Sequence, residues 1–104
     1  LKSTEEAAVS SFTATVPLEF TLGQNYPNPF NPTTVIEYAL PRDEVVSLVV
    51  YNTIGEEVAA LVRGIRSAGV HSVTFNAQHL PSGVYLYRLV AGTFNETKKL
   101  AVVK

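Results

Sequence analysis

Few side chains in this sequence could do chemistry. His71 and His79 are the only histidines, Asp43 is the only aspartate, and there is no cysteine. Neither histidine has a partner at metal-ligand spacing. The missing cysteines remove disulfides, thiolate metal sites and cysteine nucleophiles together, and leave the redox compartment open. A paired-carboxylate hydrolase needs two acids held across a cleft, with at least one pKa raised by its surroundings. Glu56 and Glu57 are adjacent, and on a strand adjacent side chains point to opposite faces, so they are not that pair. Asp43 lies with Glu44 behind Pro41 and Arg42, as a solvated turn charge would. His71 alternates with Val73 and Phe75, which puts it at the edge of a core. No phosphate loop, serine elbow or metal-binding helix motif occurs. The expectation is a chain with no catalytic residue, no cofactor and no metal.

Two weaker signals remain. Tyr51, Tyr85 and Tyr87 could stack on sugar rings if a strand exposed them, which would suit a carbohydrate-binding or structural accessory module of a secreted hydrolase. Core packing accounts for Tyr85 more simply. Asn95-Glu96-Thr97 fits the N-glycosylation pattern, but the match is too short and common to carry weight.

The elements that must position these residues read as strands. The chain has 104 residues, 46% apolar and 16% charged, which suffices for one core and leaves no room for a second. A net charge of −1 offers no field for nucleic acid or an anionic bilayer. Residues 1–17 lack sustained periodicity and read as a linker, with at most one helical turn near Glu5 to Val9. The first residue is Leu1 and not Met, which suggests a piece of a longer protein.

From Leu18 onward, turn residues punctuate alternating segments. Residues 33–40, 45–52, 56–62, 70–76, 83–91 and 96–103 pattern as strands, with a short one at 20–25. Gly55 closes a tight hairpin, Gly64 and Gly69 bracket a connection, Leu80-Pro81-Ser82-Gly83 fits a type I turn, and residues 92–95 turn into the last strand. Tyr85, Tyr87 and Leu89 on one face of 83–91, with Val84, Leu86 and Val90 on the other, suggest a strand covered on both sides. About seven strands at this spacing predict an all-β, immunoglobulin-like antiparallel sandwich without the Cys…Trp…Cys set. Its predicted core is Ile36, Tyr38, Leu40, Val46, Leu48, Val50, Val73, Phe75 and Tyr85.

The most specific stretch is Tyr26-Pro27-Asn28-Pro29-Phe30-Asn31-Pro32-Thr33-Thr34, where three prolines remove three backbone donors and stiffen a corner between the first two strands. This run resembles the hallmark of the type IX secretion system C-terminal sorting domain, related in fold to the immunoglobulin-like domain of flagellar hook-capping proteins. Val50-Tyr51-Asn52 through Gly55 and Val58, then Leu80-Pro81-Ser82-Gly83-Val84-Tyr85, then the ending Lys98-Lys99-Leu100-Ala101-Val102-Val103-Lys104, resemble the family pattern in order. The resemblance covers residues 20–104. It implies a sorting module over 18–104 at the end of an exported cargo protein, read by an outer-membrane type IX translocon after passage through the periplasm of a Gram-negative bacterium. In many members a sortase-like processing protein then removes the module, and the cargo stays on the cell surface or in the medium. Cleavage here would fall within residues 1–17. The matching positions are Asn28, Pro29, Gly83, Tyr85, Lys98, Lys99 and Lys104. Within the terminal strand, Lys98, Leu100, Val102 and Lys104 alternate with Lys99, Ala101 and Val103, so one row can anchor in the sandwich while the cationic ends stay accessible.

Overall fold

Period-2 patterning between turns becomes seven strands in the computed structural model, which describes residues 16–104. The linker read over residues 1–17 lies almost wholly outside the described residues, and the helical turn near Glu5 entirely so. The strands are β1 (Thr21–Leu22), β2 (Thr33–Leu40), β3 (Glu44–Tyr51), β4 (Glu57–Arg66), β5 (Gly69–Asn76), β6 (Gly83–Ala91) and β7 (Phe94–Val102). They form two antiparallel sheets, β1-β2-β5 and β4-β3-β6-β7. This is the expected all-β sandwich, with an immunoglobulin-like division of strands.

The inward rows of both sheets make one core. Ile36, Leu40, Leu48, Val50, Tyr87 and Leu89 are fully buried, and Tyr38, Val46, Phe75 and Tyr85 nearly so. Eight of the nine predicted core residues are therefore buried, while Val73 packs against the core half-exposed. Val73 sits on β5, an edge strand with a neighbour on one side only.

Several boundaries move, each for an identifiable contact. The strand expected at 20–25 shrinks to Thr21–Leu22 because Asn25 turns into the sandwich, 2% exposed, instead of continuing the ladder. β4 runs through Gly64 to Arg66, since Val46, Val45 and Glu44 keep pairing with Gly64, Ile65 and Arg66. The connection is only Ser67-Ala68, and the Asp43 carboxylate accepts the Ala68 N–H at 2.8 Å. Asp43 is thus a turn cap. Glu56 precedes the strand, where Asn52 Nδ2 donates to its carboxylate at 2.8 Å. The Asn52 carbonyl group of the side chain also accepts the Ile54 and Glu56 N–H groups, an Asx turn that leads into Gly55 at φ +91°. The hydrogen-bonded turn before β6 is 77–80, closed by Leu80 N–H to Ala77 C=O at 2.9 Å, three residues ahead of the one expected. Gly92 and Thr93 alone make the last turn, so β7 begins at Phe94. The outward face of β6 is not covered: Val84 is 49% exposed, because a sandwich of two layers leaves the outside of each sheet to solvent.

His71 meets its expectation. It is half-buried, its ring stacks on Tyr38 at 5.1 Å, and its Nε2 lies 2.7 Å from the Ser67 carbonyl oxygen.

Candidate recognition surface

Proline removes donors, so the run at residues 26–32 cannot join a ladder at every position. What it keeps, it uses at both ends. Tyr26 exchanges two hydrogen bonds with Val35 of β2, each 2.9 Å, and the Ala77 N–H donates to the Pro32 carbonyl at 2.8 Å. Between these anchors the chain crosses to the other sheet. Phe30 N–H donates to the Ala101 carbonyl at 3.0 Å, Val103 N–H to the Phe30 carbonyl at 2.9 Å, and Ala101 N–H to Asn28 Oδ1 at 2.9 Å. Phe30 thereby pairs in parallel with Val102. Its ring is 2% exposed and lies 6.0 Å from Phe75. The expected corner is therefore also a strap, which closes the outer edge of β7 over its C-terminal half.

The strap is held from below by a buried polar network. Tyr87 donates its hydroxyl proton to the Gly23 carbonyl at 2.7 Å and accepts the Asn25 N–H at 2.9 Å. Asn25 Nδ2 donates to the Pro27 carbonyl at 3.1 Å and to Thr34 Oγ1 at 3.0 Å, and Thr34 donates to the same carbonyl at 2.8 Å. Among the described residues no buried side-chain polar atom lacks a partner, so the network is fully satisfied.

On the inner side of β7 lies β6. Gly83 pairs with Val102 and Tyr85 with Leu100, and the Tyr85 hydroxyl donates to the Pro81 carbonyl at 2.8 Å. Gly83 has φ +153°, a conformation that side chains rarely adopt, and open space where a Cβ would stand. The glycine answers to backbone geometry, not to crowding.

The lysines divide into three kinds. Lys98 is half-buried and paired with Glu96 at 3.2 Å, whereas Lys99 is exposed, with Gln24 Nε2 donating to its carbonyl at 2.8 Å. Lys104 is exposed too, but its ammonium is tethered. Its Nζ donates to the Gln78 carbonyl at 2.6 Å and the Ala77 carbonyl at 3.1 Å, while its N–H donates to Ser82 Oγ at 3.0 Å. The turn before β6 presents those carbonyls at the end of β7, so the ammonium finds a seat there. Leu100 and Val102 are buried, which fits the expected anchored row.

Three of the four stretches that sequence alone singled out thus meet in one place: Asn28 and Pro29 on one side of residues 100–104, Gly83 and Tyr85 on the other, and the terminal lysines around them; the fourth, from Val50 to Val58, lies on β3 and β4, beyond β6. Residues 24–103 match the profile of the secretion system C-terminal sorting domain. The chain belongs to this family. No curated protein matches it. The matched span opens at Gln24, whose side chain reaches the Lys99 carbonyl just ahead of the strap, and closes at Val103, the strap's last backbone contact. As a sorting domain the chain is a C-terminal signal for type IX secretion, which implies contact with that machinery, an attached cargo, and export to the cell surface or medium.

The sugar-stacking reading fails on geometry for two of its three rings. Tyr85 and Tyr87 are buried, and the half-buried Tyr51 carries the Arg88 guanidinium 5.4 Å from its ring centre. Glu57 is paired with Arg63 at 2.8 Å. Among the described residues no group of three or more His, Asp or Glu could hold a metal.

Sequence reasoning missed Phe30, Asn25, Thr34 and Gln24. Phe30 left a signal, a large apolar residue amid prolines. Thr34 left one too, its place in the row of Ile36, Tyr38 and Leu40, whereas Gln24 and Asn25 left none, because Lys99 and Tyr87 are distant in sequence.

Proposed function

We propose that residues 18–104 act as a folded address, read by the outer-membrane type IX translocon after the cargo has crossed the periplasm of a Gram-negative host. A sortase-like processing protein then acts within residues 1–17. The reading rests on one observation: the proline run, the Gly83–Tyr85 segment and the lysine-rich ending converge on the C-terminal end of β7, held by the strap on one edge and β6 on the other. Asn28, Gly83, Tyr85 and Lys104 hold the shape of that surface, Pro29 stiffens it, Lys99 presents charge beside it, and Lys98 is held on the other face by Glu96. A surface assembled before encounter loses less conformational entropy on binding than a loose tail would.

The test fuses the 104-residue chain to a fluorescent reporter bearing an inner-membrane export signal, in hosts with and without the translocon. Surface and medium fluorescence should rise roughly tenfold where the translocon is present. Lys99→Gln with Lys104→Gln should lower it while the fold, followed by circular dichroism, persists. Equal export in both hosts would sink the assignment.

The module itself carries no catalysis. Glycan, peptide and ester substrates should turn over at the buffer rate, with or without chelator. Turnover lost on mutating His71, Asp43 or Glu37, an exposed carboxylate on β2, would contradict this.

A further inference from the structure

The strap covers only part of the outer edge of β7. In the β6–β7 register, Leu100 and Val102 face β6 through their backbone, whereas the Ala101 N–H and carbonyl, the Val103 N–H and the Lys99 carbonyl turn the other way and meet the strap or Gln24. Alternation then sends the N–H and carbonyl of Asn95 and of Thr97, and the N–H of Lys99, outward along the same edge. Among the described residues none of these groups has a hydrogen-bond partner, and Asn95, Thr97 and Lys99 are all exposed. The strap ends where this row begins. A strand laid on it would continue the line of the strap beside β7.

Charge distinguishes this edge from the others. Lys99 is exposed on the outward face of β7 and sets a cation beside the open backbone, whereas Arg88, opposite Thr97, carries its guanidinium over Tyr51 of β3, away from this edge. Lys98 turns the other way and is neutralised by Glu96. The far edge of the same sheet, β4, is broken by irregularities between Leu48 and Val49 and between Val50 and Tyr51, which spoil it as a template. The edge of β5 has His71 as its only basic side chain, and that ring is stacked on Tyr38.

We infer that the open edge of β7, from Asn95 to Lys99, is a strand-addition site that takes an extended, net-acidic segment of the secretion machinery. Main-chain hydrogen bonds supply the affinity, and Lys99 selects the charge of the partner. The inference rests on the sorting reading above and specifies how the address is read.

Thr97→Pro deletes an outward donor without touching the β6 ladder, the one kind of position where a strand accepts proline. In the reporter assay it should cut translocon-dependent export roughly tenfold, with Thr97→Ala near wild type and Lys99→Glu impaired. Normal export of a folded Thr97→Pro chain overturns the edge site and leaves the sorting reading standing. Translocon-independent export of the wild type removes both. Should Thr97→Pro fail to fold, hydrogen exchange on the wild-type chain decides. The Asn95, Thr97 and Lys99 amides should exchange fast alone and slow roughly tenfold on binding purified translocon. Binding that leaves them unprotected overturns the site. Sedimentation should show a monomer; a dimer dispersed by Thr97→Pro would assign the edge to a second copy and overturn the acidic partner.

Discussion

Phe30→Ala is expected to destabilise the domain by about 3–5 kcal/mol, the range for emptying a buried aromatic site. The ring is 2% exposed and abuts Phe75, so its removal leaves a cavity where the two sheets meet. The loss has a second part. Phe30 pairs through its N–H with Ala101 of β7 and through its carbonyl with Val103 just beyond it, and without its ring no buried apolar side chain holds the strap in place. Urea denaturation should show the loss of stability. Hydrogen exchange should show the Ala101 and Val103 amides losing protection before the amides of β3. Against a typical total of about 5–15 kcal/mol, the folded fraction would fall enough to reduce export as well. A change under about 1 kcal/mol would mean that the strap is held by its hydrogen bonds alone.

Tyr87→Phe should cost about 1–3 kcal/mol although it removes one oxygen atom, because it strands the buried Asn25 N–H and leaves the half-buried Gly23 carbonyl without its donor. The same hydroxyl makes stability depend on alkaline pH. Burial pushes the Tyr87 phenol above its ordinary value of 10.0, with the nearby Glu96 adding to the rise and the Asn25 N–H opposing it. Tyr38 is raised by burial too, against the pull of Arg66. A group whose folded pKa is raised keeps its full contribution below the unfolded pKa and loses it as pH climbs toward the folded one. Wild-type stability should therefore fall above about pH 10, and the fall should be shallower in Tyr87→Phe, with Tyr38 supplying what slope remains. Denaturation midpoints measured across that window test it. An unchanged alkaline slope would show that the Tyr87 hydroxyl does not set it.

Much of this was legible from local pattern. Alternation placed β2 and β6 at their observed limits and put Ile36, Leu40, Leu48 and Val50 in the core, because a strand with one wet face writes its orientation into every second residue. Boundaries slipped where the deciding contact was remote. Gly64 looked like the end of a strand, yet pairing with Val46 carries β4 past it. Tyr87 could have been a sugar platform or a core residue on spacing alone, and only the facing sheet buries it.

The sorting surface divides the same way. Its parts were each recognisable in sequence: the proline run by its missing donors, Gly83 before Tyr85 by its turn chemistry, the last strand by its lysines and alternating apolar row. Those features are encoded by residue type over a few neighbouring positions, and so was the absence of a reactive cluster. Tertiary structure alone decided that Phe30 pairs with Val102, that Lys104 is seated on the Ala77 and Gln78 carbonyls while Lys99 stays exposed, and that Asn25 and Tyr87 share a buried network. Each of these joins residues more than twenty positions apart, and backbone groups that any residue type carries supply most of the bonds. Local pattern holds no record of such partners; they are chosen when the two sheets close on a common core.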